Sequence, residues 1–249
     1  MPNLDHVSPP NPKTDCYSFD VPAKVTCPGM TESCGGKCYA FALARVYKGV
    51  KAKQQRNLEL ANSREFVSTM IRDIPRRCEF RIHVSGDFYS LDYIRNWRKI
   101  CAARPDVTFY TYTRSWRVDS QYREAIWFLN ALDNVNINLS VDIDTGAPDF
   151  DGADFFRWAY LSHDNTAPNW LRKGDIVFRS NHNGQPGNHK WQRKKAVRLG
   201  KDPDDEWALI HKMGEATVCP MERGTELPKS FSCAKCQLCV AKPRVAALV

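Results

Sequence analysis

No stretch of this 249-residue chain approaches the length of a membrane span. Its opening, MPNLDHVSPPNPKTDC, has no basic segment followed by an apolar one, so a secretory leader is not expected. Without one, the chain is expected in a reducing cytoplasm. Clustered thiols there read as metal ligands or catalytic groups rather than disulfides. Also missing are a GxxxxGK[ST] phosphate loop, an HExxH zinc helix and a GxSxG nucleophile elbow. The commonest motif-bearing nucleotide hydrolases, zincins and serine hydrolases therefore find no support.

What is present is cysteine, ten in all, on a chain with a net charge of +8. Three of the ten crowd one stretch, TCPGMTESCGGKCYA, as Cys27, Cys34 and Cys38. The gaps are too short for each thiol to reach a separate helix or strand. A loop curled around one inorganic centre satisfies all three at once. Three thiolates can hold three irons of a [4Fe-4S] cluster, leaving the fourth open, or supply three zinc ligands with Cys16 or His83 as the fourth. Gly29, Gly35 and Gly36 let the backbone pass close to such a centre.

A second set closes the chain: Cys219, then Cys233, Cys236 and Cys239. The CxxCxxC run with Cys219 supplies four ligands, enough for a closed [4Fe-4S] cluster or a four-cysteine zinc site. Four protein ligands leave no open position, so this centre is expected to be structural or electron-transferring. Cys78 and Cys101 read as buried thiols.

Between the two sets, strands alternate with helices. Period-two runs mark strands at Phe80–Asp87, Val107–Arg114, Asn134–Asp144 and Ile176–Ser180. Helical stretches follow Tyr39, recur through Phe66, Val67, Met70 and Ile71, follow a Ser90 cap, and run from Gln121 to Leu132, with a weaker one at 151–161. Asn62 and Glu65 form a candidate capping box. This alternation predicts an α/β fold with a mostly parallel sheet. The row Asn136, Asn138, Ser140, Asp142 and Asp144 is polar throughout, which a doubly wound sheet buried on both faces would not carry. It predicts a partial (β/α) barrel with a ligand inside; an antiparallel sheet with one wet face is the alternative. The expected organisation is an arm at 1–15, the barrel at 16–200 and a cysteine-rich metal-binding module at 201–249.

His83 and Asp87 are candidate acid/base groups, and Arg114, at a strand end, a candidate carboxylate or phosphate partner. Packing is the ordinary alternative for each. Tyr110, Tyr112 and Trp116 could stack on a base, and His182 could protonate a product. The basic runs at 48–56, 74–77 and 189–198 permit contact with nucleic acid but also suit a solvated face.

The run SFDVPAKVTCPG…SCGGKCYA, with Arg56 and Asn57 on the following helix, resembles the bacteriophage gene product 88 family. That likeness implies a phage-encoded protein of the host cytoplasm. A looser resemblance is to radical S-adenosylmethionine enzymes, which place a three-cysteine loop after the first strand of a partial barrel. It implies Cys27, Cys34 and Cys38 as cluster ligands and S-adenosylmethionine on the open iron. Ser85, Gly86 and Asp87 would meet its amino group, and Ser140, Asp142, Arg179 and Asn181 its ribose, its carboxylate or the substrate. The loop here is Cx6Cx3C where those enzymes usually have CxxxCxxC.

Three functions follow. The first is an iron–sulfur enzyme of radical type with two clusters and an external electron donor, modifying a nucleotide or nucleic acid. The second is a non-catalytic iron–sulfur or zinc protein that binds nucleic acid. The third is a metal-dependent hydrolase using His83, Asp87, Asp142 and Asp144.

Overall fold

The computed structural model describes residues 5–10, 15–163, 166–179, 212–213, 215–219 and 236–242. In chain order the elements are β1 (Tyr17–Ser18), α1 (Glu32–Gly36), α2 (Tyr39–Val46), α3 (Lys48–Ala61), α4 (Phe66–Asp73), β2 (Glu79–Arg81), α5 (Leu91–Ala103), β3 (Thr108–Thr113), α6 (Ser120–Asn130), β4 (Val135–Val141), β5 (Arg157–Ser162), β6 (Ile176–Arg179), β7 (Lys212–Met213) and β8 (Ala216–Val218). They build an α/β fold around one sheet of order β1-β2-β3-β4-β5-β6-β8-β7. Every neighbouring pair is parallel except β7 with β8. From β1 to β6 the strands neighbour each other in chain order, with no reversal of the kind that defines a doubly wound sheet, and β8 then lies between β6 and β7. Right-handed crossovers that all step the same way keep their helices on one face.

That face carries the core. Phe80, Phe109, Ile137, Leu139, Val141 and Val177 point to it and are fully buried against the helices. Trp97 of α5 sits at its centre, in ring contact with Phe19, Phe66, Phe80 and Tyr93. Each such aromatic contributes about 2–3 kcal/mol by leaving water. The helices begin where their caps dictate. Ser90 accepts from Tyr93 N at 3.2 Å, and Asp119 accepts from Tyr122 N at 2.9 Å.

Three local expectations change. The stretch read as a weak helix at 151–161 is a short 3-10 turn followed by β5, because Trp158 and Tyr160 pack into the core as alternate residues of a strand. The helical stretch after Tyr39 is two helices, parted at Tyr47, whose backbone is extended. Asn62 ends α3 instead of opening α4; the Ser63 hydroxyl accepts from Glu65 N near the start of α4.

The other face of the sheet is polar at its heart, as the alternating row implies. Tyr110, Tyr112, Asn136, Asn138 and Arg157 lie there, and residues 236–242 lie against them. Asn136 and Asn138, 1% and 0% exposed, both donate to the Cys239 carbonyl, at 2.7 and 3.1 Å. Arg157 donates to the carbonyls of Leu238 and Ala241. The row therefore holds the chain's own C-terminal segment.

Candidate functional site

The three-cysteine loop crosses the C-terminal ends of β2, β3 and β4, the edge where parallel α/β sheets place their sites. Polar contacts fasten it along its length. Thr26 O accepts from Asp87 N at 3.1 Å, and Gly29 O from Arg117 Nη1 at 2.8 Å. Thr31 caps α1 by accepting from Cys34 N, and its hydroxyl donates to Asp142 Oδ2 at 2.6 Å. Ser33 N donates to Asp144 Oδ2 at 2.8 Å, and the Tyr39 hydroxyl to Val84 O at 2.9 Å. Two glycines permit the close approach. A Cβ on Gly29 would stand 2.0 Å from the Arg114 carbonyl oxygen. Gly86, at φ +82, has Val21 Cγ2 only 2.3 Å from where a Cβ would be.

Beneath the loop lies a buried ion pair. Arg114 Nη2 meets Asp142 Oδ2 at 2.9 Å, and Asp142 Oδ1 accepts from the backbone N–H groups of Asp144 and Thr145. Arg114 Nε is buried with no hydrogen-bond partner among the described residues. The three thiols share one electrostatic environment. Burial pushes the Cys27 thiol up to about 12, with the Asp87 carboxylate and the other two thiols adding to the rise. Burial also raises Cys34, and the Arg114 guanidinium opposes that rise. Among the described residues no set of three or more His, Cys, Asp or Glu side chains is arranged to hold a metal ion.

The structure separates the other expected site residues. Asp87 is buried under the loop, and burial raises its carboxyl. Its oxygens accept from the Thr113 hydroxyl at 2.6 Å and from Phe88 N and Arg114 N at 2.7 Å, so it joins the ends of β2 and β3. Ser85 donates to Val21 O at 3.0 Å beside Gly86. His83 stands in the aromatic core, its ring 5.0 Å from Phe88 and its Nε2 3.0 Å from the Tyr93 hydroxyl. Burial and nearby Arg81 push it down to about 3, which keeps it neutral. Alternation from Phe80 would align His83 with Ser85 and Asp87, but β2 ends at Arg81 and the following backbone does not continue the pleat. The Ser140 carbonyl accepts from Trp116 Nε1 at 3.2 Å. Arg179 ends β6 opposite Ser162. Asn181, His182 and Cys233 lie outside the described residues.

One histidine escaped the sequence reading. His163 follows β5; burial lowers its imidazole, and it is near enough to Lys37, Asp142, Arg114 and Asp144 to feel their charges. Its segment carried a helical pattern, which hid its place at a strand end.

Among the described residues, Cys219, Cys236 and Cys239 of the expected four-cysteine module are not arranged to hold a metal ion. Cys219 is buried, its N–H donating to Val177 O at 2.8 Å. Cys239 and Tyr112 pack against the same small cluster of Cys16, Tyr110 and Val240. Cys16, considered above as a fourth ligand of the front loop, packs at this rear position. Its Sγ is 3.1 Å from the Tyr110 hydroxyl, in one cluster with Val240 and Cys239.

The chain is thus an α/β protein with a cysteine loop clamped on the C-terminal edge of a parallel sheet. It belongs to the gene product 88 family, whose model matches residues 4–242. It is 31% identical over 134 residues to the Gene 88 proteins of Mycobacterium phages L5 and D29. The match covers 48% of this chain and 53% of each relative, so the chain spans about half the length of the curated relatives it matches. No solved structure matches it. Among the described residues no helix is long and apolar enough to cross a membrane.

Four outcomes test this architecture. Asp142→Asn leaves Arg114 buried without its countercharge and is expected to cost about 3–5 kcal/mol in urea unfolding. Gly29→Ala is expected to destabilise the protein by more than 1 kcal/mol. Gly36→Ala, where a Cβ meets nothing within 4 Å, is expected to be neutral or slightly stabilising in the same assay. In metal-free protein at pH 8, Cys27, with its thiol near 12, should react with iodoacetamide about a hundred- to a thousandfold more slowly than in urea, measured by peptide mass spectrometry.

Proposed function

We propose that this protein is a partial (β/α) barrel that carries a [4Fe-4S] cluster on Cys27, Cys34 and Cys38 and works in the manner of radical S-adenosylmethionine enzymes. The observation that carries the reading is the position of the loop: three mutually coupled thiols, bonded to three strand ends, above the Arg114–Asp142 pair. The sequential parallel order of the strands supports a barrel-like sheet. A cluster takes one thiolate per iron and spreads its ligands, which the wide Cx6Cx3C spacing suits.

When bound, such a cluster supplies one low-potential electron, used in radical enzymes to cleave the sulfonium of S-adenosylmethionine. The protein's own residues have distinct tasks. Thr31, Ser33 and Tyr39 fix the loop at both ends, so the thiols keep their spacing. The unpartnered Nε of Arg114 offers a buried donor to a carboxylate or phosphate. Asp142 holds that guanidinium in place, and Asp87 holds the Arg114 backbone. Ser140, Asp142 and Arg179 stand on the strands that would border a bound nucleoside, with Asn181 following.

Cys219, Cys233, Cys236 and Cys239 form the second, closed centre in this reading, with Cys16 beside it. A nucleotide or nucleic acid is the proposed substrate class, from the net charge of +8 and the phage relatives.

Anaerobic purification tests the reading. The expected protein is brown, with about eight irons per chain, four for each cluster. S-adenosylmethionine should alter the paramagnetic resonance of the reduced protein and yield 5′-deoxyadenosine. Cys34→Ala should halve the iron and abolish that response. A colourless protein containing zinc, or a reduced cluster indifferent to S-adenosylmethionine, overturns it.

A further inference from the structure

The face that α2 and α3 turn outward joins two aromatic rings to a run of unopposed positive charge. Helix α2 starts directly after Cys38, its N-cap, and only Ala40 of its eight residues is buried. Phe41 is 37% exposed, and Tyr47, where the two helices part, is 57% exposed. Leu43, Val46 and Val50 are exposed beside them. Isolated exposed apolar residues need no explanation, but a run of them next to a candidate site marks an interaction surface. Residues 36–58 carry six Lys and Arg and no Asp or Glu. Lys37, Arg45, Lys48, Lys51 and Arg56 among them are exposed, and no ion pair among the described residues engages these five. Lys24 Nζ stands 4.4 Å over the Phe41 ring, which puts a further charge on the aromatic itself. The inner side of α3 holds this face still. Asn57, fully buried, donates to the carbonyls of His6 and Asp20 at 3.0 and 2.9 Å, and Lys53 donates to Val7 O at 2.9 Å.

We propose that this face binds single-stranded nucleic acid, with Phe41 and Tyr47 as stacking platforms and Lys37, Arg45, Lys48 and Lys51 on the phosphates. It rests on the nucleic-acid substrate class proposed above, gives that class a surface, and does not depend on the cluster. Positive charge with no acid among it is the footprint of a phosphate backbone. Exposed rings beside those charges suit a strand whose base faces are free; a duplex hides them in its stack. The rings that the sequence offered for stacking are turned inward. Tyr110 and Trp116 are 3% and 6% exposed, and they bond the Cys16 thiol and the Ser140 carbonyl. The aliphatic side chains fit the same partner, since Leu43, Val46 and Val50 cover the apolar faces of bases and sugars between the rings. Charged and apolar residues also alternate along the chain: Arg45 falls between Leu43 and Val46, and Lys48 between Tyr47 and Val50. A helix that lies in a membrane surface instead gathers its charges on the side away from the lipid. A second copy of this chain would bring the same positive charge to the face and be repelled. Because α2 follows the third thiol directly, a strand held here reaches the edge of the front site.

Fluorescence anisotropy on the full chain tests this, with iron content measured on every sample. The probe is a fluorescein-labelled oligothymidylate of about twenty nucleotides, compared with a duplex of the same length and with heparin, a polyanion without bases. The wild type should bind the single strand about tenfold more tightly than the duplex. Phe41→Ala/Tyr47→Ala should weaken the single strand about tenfold or more, with its salt dependence and heparin binding unchanged. Retained heparin binding shows that this variant is folded. Lys48→Gln/Lys51→Gln should weaken both ligands and lower the slope of log affinity against log salt by about 1.4, two phosphates at about 0.7 each. Arg95→Gln/Lys99→Gln, at exposed positions of α5, should bind as the wild type does. Equal single-strand affinity in the wild type and the ring variant overturns the proposal, as does a duplex bound as tightly as the strand. An α5 variant that loses as much as the lysine variant also overturns it, since net charge alone would then be binding. So do phosphatidylserine vesicles or an acidic protein that bind through the rings and lysines while the oligonucleotide does not. A wild type that binds no oligonucleotide overturns the proposal and the nucleic-acid substrate class with it. The cluster reading stands or falls separately, on iron content and paramagnetic resonance.

Discussion

The position of the cysteine loop depends on one buried ion pair. Arg114 at the end of β3 and Asp142 just past β4 meet at 2.9 Å in a place closed to water. Each charge alone would be costly there; together, with Thr31 and two backbone N–H groups completing the carboxylate, they form a fixed polar floor. The loop above has little apolar surface of its own to bury. Its geometry is therefore set by hydrogen bonds to this floor and to neighbouring strand ends, including those of Asp144, Arg117 and Val84. Such networks hold cooperatively, so loss of the central pair should loosen the whole loop before it unfolds the core.

The opposite side of the sheet uses a different device. Asn136, Asn138 and Arg157 grip the C-terminal segment through its backbone carbonyls. The thiols of Cys236 and Cys239 are not needed for that grip. Tyr112 packs beside Cys239, and Arg81 sits over its ring at 4.9 Å. Arg81 Nε donates to His83 O at 2.7 Å, and the hydroxyl of Tyr39, the residue after Cys38, donates to the adjacent Val84 O.

Much of this was legible in the sequence. The alternation of Val135, Ile137, Leu139 and Val141 with Asn136 and Asn138 placed a strand and gave it one polar face. Ser90 announced the start of α5. What misled was periodicity carried past an element's end. His83 looked like a partner of Asp87 because alternation was extended beyond Arg81, where the pleat stops. His163 was hidden because GADFFRWAYLS carries a helical as well as an alternating pattern, and only core packing of Trp158 and Tyr160 selects the strand.

The sequence by itself determined the local chemistry: which stretches alternate, where helices are capped, and that three thiols must share one loop. Short-range spacing and side-chain type suffice for these. Tertiary structure decided which distant groups meet. Cys16 could be assigned to the front loop from its nearness in sequence, yet β1 carries it to the rear, against Tyr110 and Val240. Thr31 and Asp142 are 111 residues apart and meet at 2.6 Å. That contact exists because parallel strands paired in chain order bring their C-terminal ends to one edge, where the loop crosses them.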